Sequence, residues 1–340
     1  MTDVRTDTYI LEVQDLEVSF DSPDGKVHAV NGVSFRLRPG ESLGVVGESG
    51  SGKSVTMMSL VGLLPSPPAN VEGGTAMLRH DGTETDILAL SKSAIRGIRG
   101  RKIGFVFQDP LSALNPTMRV GDQIAESIRK HRGLSNEEAD DAAVELLKAV
   151  GIADPARRAR AFPHEFSGGM RQRVMIAIAM AADPPIIVFD EPTTALDVTV
   201  QAQIVELVKT RLQAERGTAV IWITHDLAVV AGIADRVAVM YGGTVVESGP
   251  VDQIYENPLH PYTRGLLAAV PTTDSDGTTR LASIEGSPPD LLVAPTFCPF
   301  QPRCAFAFDR CVSERPLLRD VGDRHRVACH VDLATGEQLR

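Results

Sequence analysis

A glycine-rich loop between an apolar strand and a helix constrains this chain more than any other feature. The strand is predicted at Ser42–Val46 and the helix over residues 53–63, and the loop reads Gly47-Glu-Ser-Gly-Ser-Gly52-Lys53-Ser54. This is the phosphate-binding pattern G-x-x-x-x-G-K-[ST] between the elements it requires. Glycines let backbone N–H groups surround phosphate oxygens at the positive end of a helix. The pattern therefore predicts a nucleotide-binding fold of the P-loop class.

Individual residues of this loop have predicted roles. The Lys53 ammonium is expected to reach the β- and γ-phosphates of a nucleotide, and the Ser54 hydroxyl to ligate Mg²⁺. A Gly/Ser turn with an incidental lysine is the alternative, and the flanking strand and helix disfavour it. The backbone that surrounds the phosphates is predicted at Gly47, Ser49, Gly50 and Gly52.

A second apolar strand, over residues 186–189, ends in two acids, Asp190 and Glu191. A buried strand can present carboxylates only where it leaves the sheet. Asp190 is therefore expected to orient Mg²⁺ through water, and Glu191 to act as general base toward the attacking water. Alone, such a pattern is also typical of a solvated strand end, and it is the phosphate loop that favours catalysis.

Strands alternate with helices along most of the first 250 residues, whereas helices alone are predicted over about 109–180. Alternation implies a largely parallel sheet covered on both faces. We therefore predict an α/β domain over residues 1–252 with an inserted helical subdomain. Residues 253–340, with a polar linker at 272–279, are predicted to form a small cysteine-containing extension.

The residues before the Asp-Glu strand point to a family. The chain reads Phe166-Ser167-Gly168-Gly169-Met170 and resembles the Leu-Ser-Gly-Gly-Gln signature of the ABC ATPases, with Phe for Leu and Met for Gln. Ser167 is expected to cap a helix, which leaves N–H groups of Gly168 and Gly169 open to a phosphate. The resemblance implies an ABC nucleotide-binding domain in which these residues bind the γ-phosphate of ATP held by an opposite subunit.

The resemblance extends to single residues elsewhere in the chain. It implies that Gln108 senses Mg²⁺ and the γ-phosphate, and that Asp197 in Ala195-Leu196-Asp197 communicates between two subunits. It also implies that His225 steadies the γ-phosphate, although a histidine at a strand end is more often structural. Phe20 is predicted to stack on adenine; an ordinary core role for Phe20, or stacking by His28, is the alternative.

Longer segments resemble the ATPase subunits of oligopeptide and dipeptide importers. They are residues 108–116, Gln-Asp-Pro-Leu-Ser-Ala-Leu-Asn-Pro, and residues 257–263, Asn-Pro-Leu-His-Pro-Tyr-Thr. The resemblance implies an ATP-hydrolysing motor with a second ATPase subunit, a paralogue rather than a copy, two membrane permease subunits and, indirectly, a solute-binding protein. Relatives of the same type move nickel, glutathione or other small solutes, so the cargo stays open.

All four cysteines lie near the C-terminus, at Cys298, Cys304, Cys311 and Cys329. Zinc sites usually show C-x2-4-C pairs, which this spacing lacks. Four thiolates can instead hold a [4Fe–4S] cluster, and the resemblance to peptide-importer subunits favours that cofactor. Zinc and metal-free thiols are the alternatives.

Charge and hydropathy exclude other classes. A formal net charge of -10 disfavours nucleic acid as a partner, because binding to phosphate backbones needs lysine and arginine. No apolar run reaches the roughly 20 residues of a spanning helix, and the polar N-terminus is unlike a secretory signal. We expect the chain at the cytoplasmic face of a membrane. An ABC ATPase acting on ribosomes or DNA, and a phosphate-loop kinase, are the disfavoured alternatives.

Overall fold

The computed structural model describes residues 9–194, 196–270, 283–333 and 335–338. The predicted linker at 272–279 and Ala195 lie outside these residues. Nowhere in the described ranges is a helix both long and apolar enough to cross a membrane.

In chain order, the helices and strands up to the signature region are β1 Leu11–Ser22, β2 Gly25–Leu37, β3 Ser42–Val46, α1 Lys53–Leu60, β4 Ala69–His80, β5 Thr83–Asp86, β6 Ile103–Val106, α2 Pro110–Ala113, α3 Val120–Arg132, α4 Asn136–Ala149, α5 Pro155–Arg158 and α6 Gly168–Met180. They are followed by β7 Ile186–Asp190, α7 Val198–Leu207, β8 Ala219–Thr224, α8 Leu227–Ile233, β9 Arg236–Tyr241, β10 Thr244–Pro250, α9 Val251–Glu256, α10 Pro261–Ala268, α11 Asp309–Ser313, β11 Arg319–Gly322, β12 His325–Val327, β13 Val331–Asp332 and β14 Glu337–Gln338.

The chain divides into two compact units. One contains the glycine-rich loop and is called the loop unit; the other contains Ser167 and is called the helical unit. The loop unit comprises Met1–Leu37, Leu43–Ala89 and Thr224–Arg340, and the helical unit Arg38–Ser42 and Leu90–Ile223. The C-terminal residues thus belong to the same unit as the phosphate loop. The boundary predicted at residue 252 stays a prediction.

An antiparallel sheet of order β2-β1-β4-β5 forms one part of the loop unit. Strand β1 joins two short β-like runs of the sequence, near residues 10–13 and 17–20, in a single strand. The polar break at Asp15 is a bulge within one strand: Asp15 has φ 48°, and the register with β2 shifts between Val13 and Leu16. A bulge adds a residue without ending the pairing, so the hairpin continues through it.

The remaining strands of the loop unit run in the order β11-β12-β10-β9-β3. Strand β3 pairs in parallel with β9, from Leu43 opposite Arg236 to Val46 opposite Val239, and every residue of β3 is buried. Strand β10 pairs antiparallel with β9 and with β12. The phosphate loop therefore leaves the carboxyl end of a fully buried strand, which fixes where the loop begins.

The helical unit contains neighbouring parallel strands in the order β6-β7-β8. Strands β7 and β8 are buried along their whole length, as their continuous apolar sequence predicts. Helices α2 to α6 follow β6, in the region where helices alone were predicted. Their buried residues include Ile124, Ile128 and Leu147. The parallel pairing places Asp190 and Glu191 at the carboxyl end of β7.

Candidate functional site

The phosphate loop packs closely against backbone of its own unit. Gly47 has φ 151°, and a Cβ at this position would lie 2.1 Å from the Met240 carbonyl oxygen. Gly52 has φ 97°, and its Cβ would lie 2.6 Å from the Ala29 carbonyl oxygen. Only glycine adopts such conformations and permits such approaches without strain. The two glycines are therefore required by the loop's path.

The Lys53 side chain lies inside this loop. Its ammonium donates to the carbonyl oxygens of Gly47 at 2.8 Å and Glu48 at 2.9 Å, and Lys53 is only 5% exposed. Ser54 follows it on α1 and is half-buried, whereas Ser49 and Gly50 are exposed at the tip of the loop. A buried cation surrounded by a backbone turn at a helix start suits a polyphosphate ligand.

The two acids after β7 differ in their surroundings. Asp190 is 6% exposed at the end of the strand, and Glu191 is half-buried with φ 44°, a left-handed conformation that costs a non-glycine residue energy. One Glu191 carboxylate oxygen, Oε2, accepts from Gln108 Nε2 at 3.1 Å and from Thr194 Oγ1 at 3.0 Å. The structure thus brings together Gln108 and Glu191, which are 83 residues apart in sequence.

Ser167 caps helix α6, as the sequence predicts. Its Oγ accepts from the Met170 N–H at 3.4 Å, and Phe166 before it is buried beneath the guanidinium of Arg158, 5.6 Å from the ring centroid. Ser167 and Gly168 themselves are exposed. The helix thus begins at exposed residues next to a buried phenylalanine, and helix N-termini that face solvent can bind anions.

Asp197 is another N-cap in the helical unit. Its carboxylate accepts from the Val200 N–H at 2.9 Å at the start of α7. A Cβ on Gly169 would lie 2.7 Å from Val200 Cγ1, so the starts of α6 and α7 are in close contact. No sequence pattern indicates this contact, because Gly169 and Val200 are far apart in the chain and no single motif contains both residues.

His225 and Phe20 both lie in the loop unit, outside the phosphate loop. His225 is exposed just after β8, and the next residue, Asp226, caps α8 by accepting from the Ala228 N–H at 2.9 Å. Phe20 is half-buried on β1, with Val27 as its partner on β2. The roles assigned to His225 and Phe20, and the alternative stacking residue His28, stay predictions.

The four cysteines are free thiols that lie near one another. Cys298 and Cys311 are buried, and the Cys298 N–H donates to the Cys311 carbonyl oxygen at 3.0 Å. Burial, aided by charge on neighbouring cysteines, raises the pKa of Cys298 to about 12 and that of Cys329 to about 11. Within the described ranges no group of three or more His, Cys, Asp or Glu side chains is arranged to hold a metal ion. The positions of these side chains therefore do not support the predicted iron–sulfur cluster.

Two family models match this chain. The ABC transporter model matches residues 30–194, and the model of the oligopeptide/dipeptide transporter C-terminal region matches residues 246–311. The oligopeptide transport ATP-binding protein OppD of Bacillus subtilis is 51% identical over 320 residues, which cover 94% of this chain and 88% of that protein. This chain belongs to the ATP-binding proteins of the ABC transporters.

Other members support the same assignment. The dipeptide transport ATP-binding protein DppD of Bacillus subtilis is 48% identical over 94% of this chain and 94% of its own length. Among solved structures, the ATP-binding cassette MJ0796, a dimer in a post-hydrolysis state bound to ADP and Pi, is 30% identical with a TM-score of 0.62. The structural match covers 71% of this chain and 98% of that cassette. The P-loop α/β fold predicted from the sequence is confirmed, and the chain is an ABC-type ATPase.

Sequence reasoning did not identify Glu48, Thr194 or Val200 as parts of the site. Thr194 donates to the carboxylate of Glu191, and Val200 contacts the start of α6. Glu48 occupies a variable position of the phosphate-loop pattern, yet its carboxylate forms an ion pair with Arg303. No local pattern marks these residues, since each acts through a contact that folding creates.

Proposed function

We propose that this chain is the ATP-hydrolysing motor of an importer for oligopeptides or dipeptides, at the cytoplasmic face of a membrane. The observation that carries the proposal is identity of about half along nearly the whole chain to proteins named for oligopeptide and dipeptide transport. The match of residues 246–311 to the C-terminal region of such transporters adds support outside the ATPase domain. In this proposal residues 1–252 are the ATPase domain, about 109–180 its helical subdomain, and 253–340 the extension.

ATP and Mg²⁺ are the proposed ligands of the residues that the sequence singled out. Lys53 and the loop N–H groups are proposed to bind the β- and γ-phosphates, and Ser54 to ligate Mg²⁺. Asp190 is proposed to orient Mg²⁺ through water, and Gln108 to sense the ion. The firm packing of Gly47 and Gly52 supports this role, because a preorganised loop loses little freedom when it binds.

Glu191 is the proposed general base for hydrolysis. Its carboxylate accepts from Gln108 and Thr194, which orient it and leave it as an acceptor for a proton from water. The left-handed backbone at Glu191 supports a functional role, since strained residues concentrate at functional sites.

Replacing Glu191 tests this part of the proposal. Glu191→Gln keeps the size of the side chain and its capacity to accept hydrogen bonds, but it cannot take a proton. We expect normal ATP binding and a loss of turnover of about a hundredfold or more. Binding is measured by fluorescence of a labelled ATP and turnover by phosphate release. Near-normal turnover would refute the assignment.

The exposed start of α6 supports a dimeric mechanism. Ser167, Gly168 and Gly169 are proposed to bind the γ-phosphate of ATP carried by a second ATPase subunit, with Asp197 at the subunit contact and His225 at the γ-phosphate. The exposure of Ser167 and Gly168 supports a ligand that comes from another chain. A paralogue is the proposed partner. Closure of the pair of ATPase subunits would switch the conformation of two permease subunits, to which a solute-binding protein delivers the solute.

Affinity purification tests the transport role. The tagged full chain is purified from detergent-solubilised membranes of its source cell, and co-purifying proteins are identified by mass spectrometry. Two polytopic permease subunits with a peptide-binding protein are the expected partners. A binding protein for nickel, glutathione or another solute would change the cargo. Ribosomal or DNA-repair proteins in place of permeases would overturn the transport role while leaving the ATPase assignment intact.

We also propose that Cys298, Cys304, Cys311 and Cys329 bind a [4Fe–4S] cluster that stabilises the extension. The four sulfur donors, in a segment whose sequence resembles that of peptide-importer subunits, support the proposal. Binding would require thiolates, whereas burial in this structure favours the thiols. Anaerobically purified brown protein with iron and sulfide is the expected result. Colourless protein with one zinc ion per chain, or with no metal, would refute the cluster.

A further inference from the structure

The C-terminal residues contact the phosphate loop at Glu48, through both its backbone and its side chain. The Glu48 N–H donates to the Tyr262 hydroxyl oxygen at 2.8 Å. The two carboxylate oxygens accept from Arg303, with Nη1 to Oε2 at 2.7 Å and Nη2 to Oε1 at 3.0 Å. A parallel pair of bonds between guanidinium and carboxylate is both strong and directional. These three bonds are called the Glu48 contacts.

Arg303 is itself fixed by its surroundings. Its side chain is 4% exposed, and it donates to the backbone carbonyl oxygens of Ile284 at 3.0 Å and Glu285 at 2.8 Å, and to the Tyr241 hydroxyl at 3.2 Å. The hydrogen bonds to Glu48 are the largest of the influences that raise the pKa of Arg303. The guanidinium is therefore a rigid, permanently charged group whose position is set by residues outside the phosphate loop.

Tyr262 is fixed in a similar way. Its side chain is fully buried, and its ring centroid lies 4.6 Å from that of Tyr241 and 5.4 Å from that of Phe300. Its backbone N–H donates to His260 Nδ1 at 3.1 Å, which anchors the first turn of α10. The hydroxyl therefore has little freedom to follow a moving loop.

Glu48 is connected in turn to the group that contacts phosphate. Lys53 donates to the carbonyl oxygens of Glu48 and of Gly47. A rotation of the peptide units around Glu48 would therefore displace both the loop N–H groups and the lysine. Ser49 and Gly50, directly after Glu48, are exposed and lack comparable packing. The Glu48 contacts restrain the loop at the point where its own packing ends.

We propose that Arg303 and Tyr262 are positioning residues for the phosphate loop: they hold Glu48 so that the loop is preorganised to bind ATP. The inference rests on the proposed binding of ATP by this loop. It gives the C-terminal extension a direct part in nucleotide affinity. Preorganisation raises affinity because less freedom is lost on binding, and loss of a hydrogen bond to a charged group is expected to weaken binding about tenfold.

The experiment measures binding of a fluorescent ATP analogue with Mg²⁺ to the purified full chain and to single variants. Arg303→Gln is expected to weaken binding about tenfold, and Tyr262→Phe several-fold. The matched control is Arg310→Gln. Arg310 also forms a two-bond ion pair in the extension, with Glu314 at 2.7 and 2.9 Å, but that pair is more exposed and joins α11 to the residue that directly follows it. Arg310→Gln is expected to bind like the unmodified chain.

Two further variants separate positioning from general destabilisation. Arg303→Lys keeps the charge but not the fork, and is expected to recover part of the affinity. Glu48→Gln changes a partly exposed side chain, so this variant can still test the proposal if Arg303→Gln is too unstable to fold. The double variant Glu48→Gln with Arg303→Gln is expected to bind about as weakly as either single variant, since all break one interaction. Thermal unfolding midpoints are recorded for every variant.

The outcomes are distinct. If Arg303→Gln and Tyr262→Phe bind the analogue as tightly as Arg310→Gln does, or if the Glu48 and Arg303 effects are additive, the positioning role is overturned. If the unmodified chain itself binds no better than Lys53→Ala, the proposed function of the loop fails instead. Tight, Lys53-dependent binding that weakens when Arg303 or Tyr262 is changed, and not when Arg310 is changed, supports the inference.

Discussion

The chain contains two helix starts that suit a phosphate, and they differ in how they are supported. The loop before α1 is packed against backbone at Gly47 and Gly52, contains the buried Lys53, and is restrained at Glu48 by Arg303. The start of α6 has no lysine in its first turn, and Ser167 and Gly168 are exposed. The two helix starts belong to different units, the first to the loop unit and the second to the helical unit.

The difference fits the roles proposed for the two helix starts, one binding phosphate by itself and the other only together with a second chain. A buried cation with several backbone donors provides its own countercharge, so the loop can bind a polyphosphate without help from a second chain. The start of α6 offers N–H groups and a helix dipole, which contribute only modestly at an exposed position. The start of α6 is therefore suited to contact a phosphate that is already bound by another chain.

The largest expected effect separates these two roles. Gly168→Val places a branched side chain on the exposed start of α6, where a Cβ would make only an ordinary contact, 3.8 Å from Leu196 Cδ2. We expect unchanged ATP binding by the purified chain but about a hundredfold slower hydrolysis in the assembled transporter, because the N–H groups proposed to bind the γ-phosphate become blocked. Binding is followed by analogue fluorescence and hydrolysis by phosphate release.

Lys53→Ala is the contrasting variant for this prediction. It removes the buried ammonium of the loop and is expected to abolish ATP binding and hydrolysis together. If Gly168→Val also lost binding by the isolated chain, or if it kept full hydrolysis, the proposed division of labour between the two helix starts would be wrong.

The next effect is a loss of stability at acidic pH that arises from His260, which lies next to the residues that contact the phosphate loop. Burial is the main cause that lowers the pKa of His260 from 6.5 to about 4, although Glu247 acts in the opposite direction. The unfolded chain therefore binds a proton at a higher pH than the folded chain does. We expect the free energy of unfolding to fall as the pH drops from about 6.5 to about 4, by about 3 kcal/mol from this residue.

Urea unfolding across that pH range measures the effect. His260→Asn is the control, because asparagine does not titrate and its carbonyl oxygen can still accept from the Tyr262 N–H, as His260 Nδ1 does at 3.1 Å. The variant should lose less stability on acidification. Identical pH dependence in both proteins would show that His260 is not the responsible group.

The smallest effect tests the packing beneath the start of α6. A Cβ on Gly169 would lie 2.7 Å from Val200 Cγ1, and the branched valine has few alternative rotamers. Gly169→Ala is therefore expected to lower the free energy of unfolding by about 1–2 kcal/mol through overpacking. Chemical denaturation compares it with Gly168→Ala, which meets no such contact. Equal stability of the two variants would contradict the close contact between α6 and α7.

Local patterns predicted the elements that contain the site. The apolar run of β3 and that of β7 indicated buried strands, and Ser167 was recognised as a helix cap. Strands β4 and β5 were not predicted. In β4 the buried residues are Ala69, Ala76 and Leu78, separated by polar residues and two glycines, so the alternation that marks a strand is lacking. Its pairing with β1 decides its conformation.

Neither the spacing of the four cysteines in the sequence nor their positions in the structure determine whether they bind a metal. Their sequence spacing is compatible with iron–sulfur, zinc and free thiols alike. Folding places the four thiols near one another, but in the described residues they do not form a metal-binding group. The ionisation of a buried thiol depends on whether a cation is present, so the chemistry of these residues is decided by the metal content of the protein.

By itself, the sequence determined the family, the phosphate loop at residues 47–54, the acids at Asp190 and Glu191, and the signature at Ser167. Each depends on residues close together in the chain, whose local conformation follows from glycine, proline and capping preferences. The tertiary structure alone decided that Gln108 contacts Glu191 and that Arg303 contacts Glu48, 255 positions away. Such pairs are set by how strands and helices pack, because packing brings together residues that no spacing rule connects.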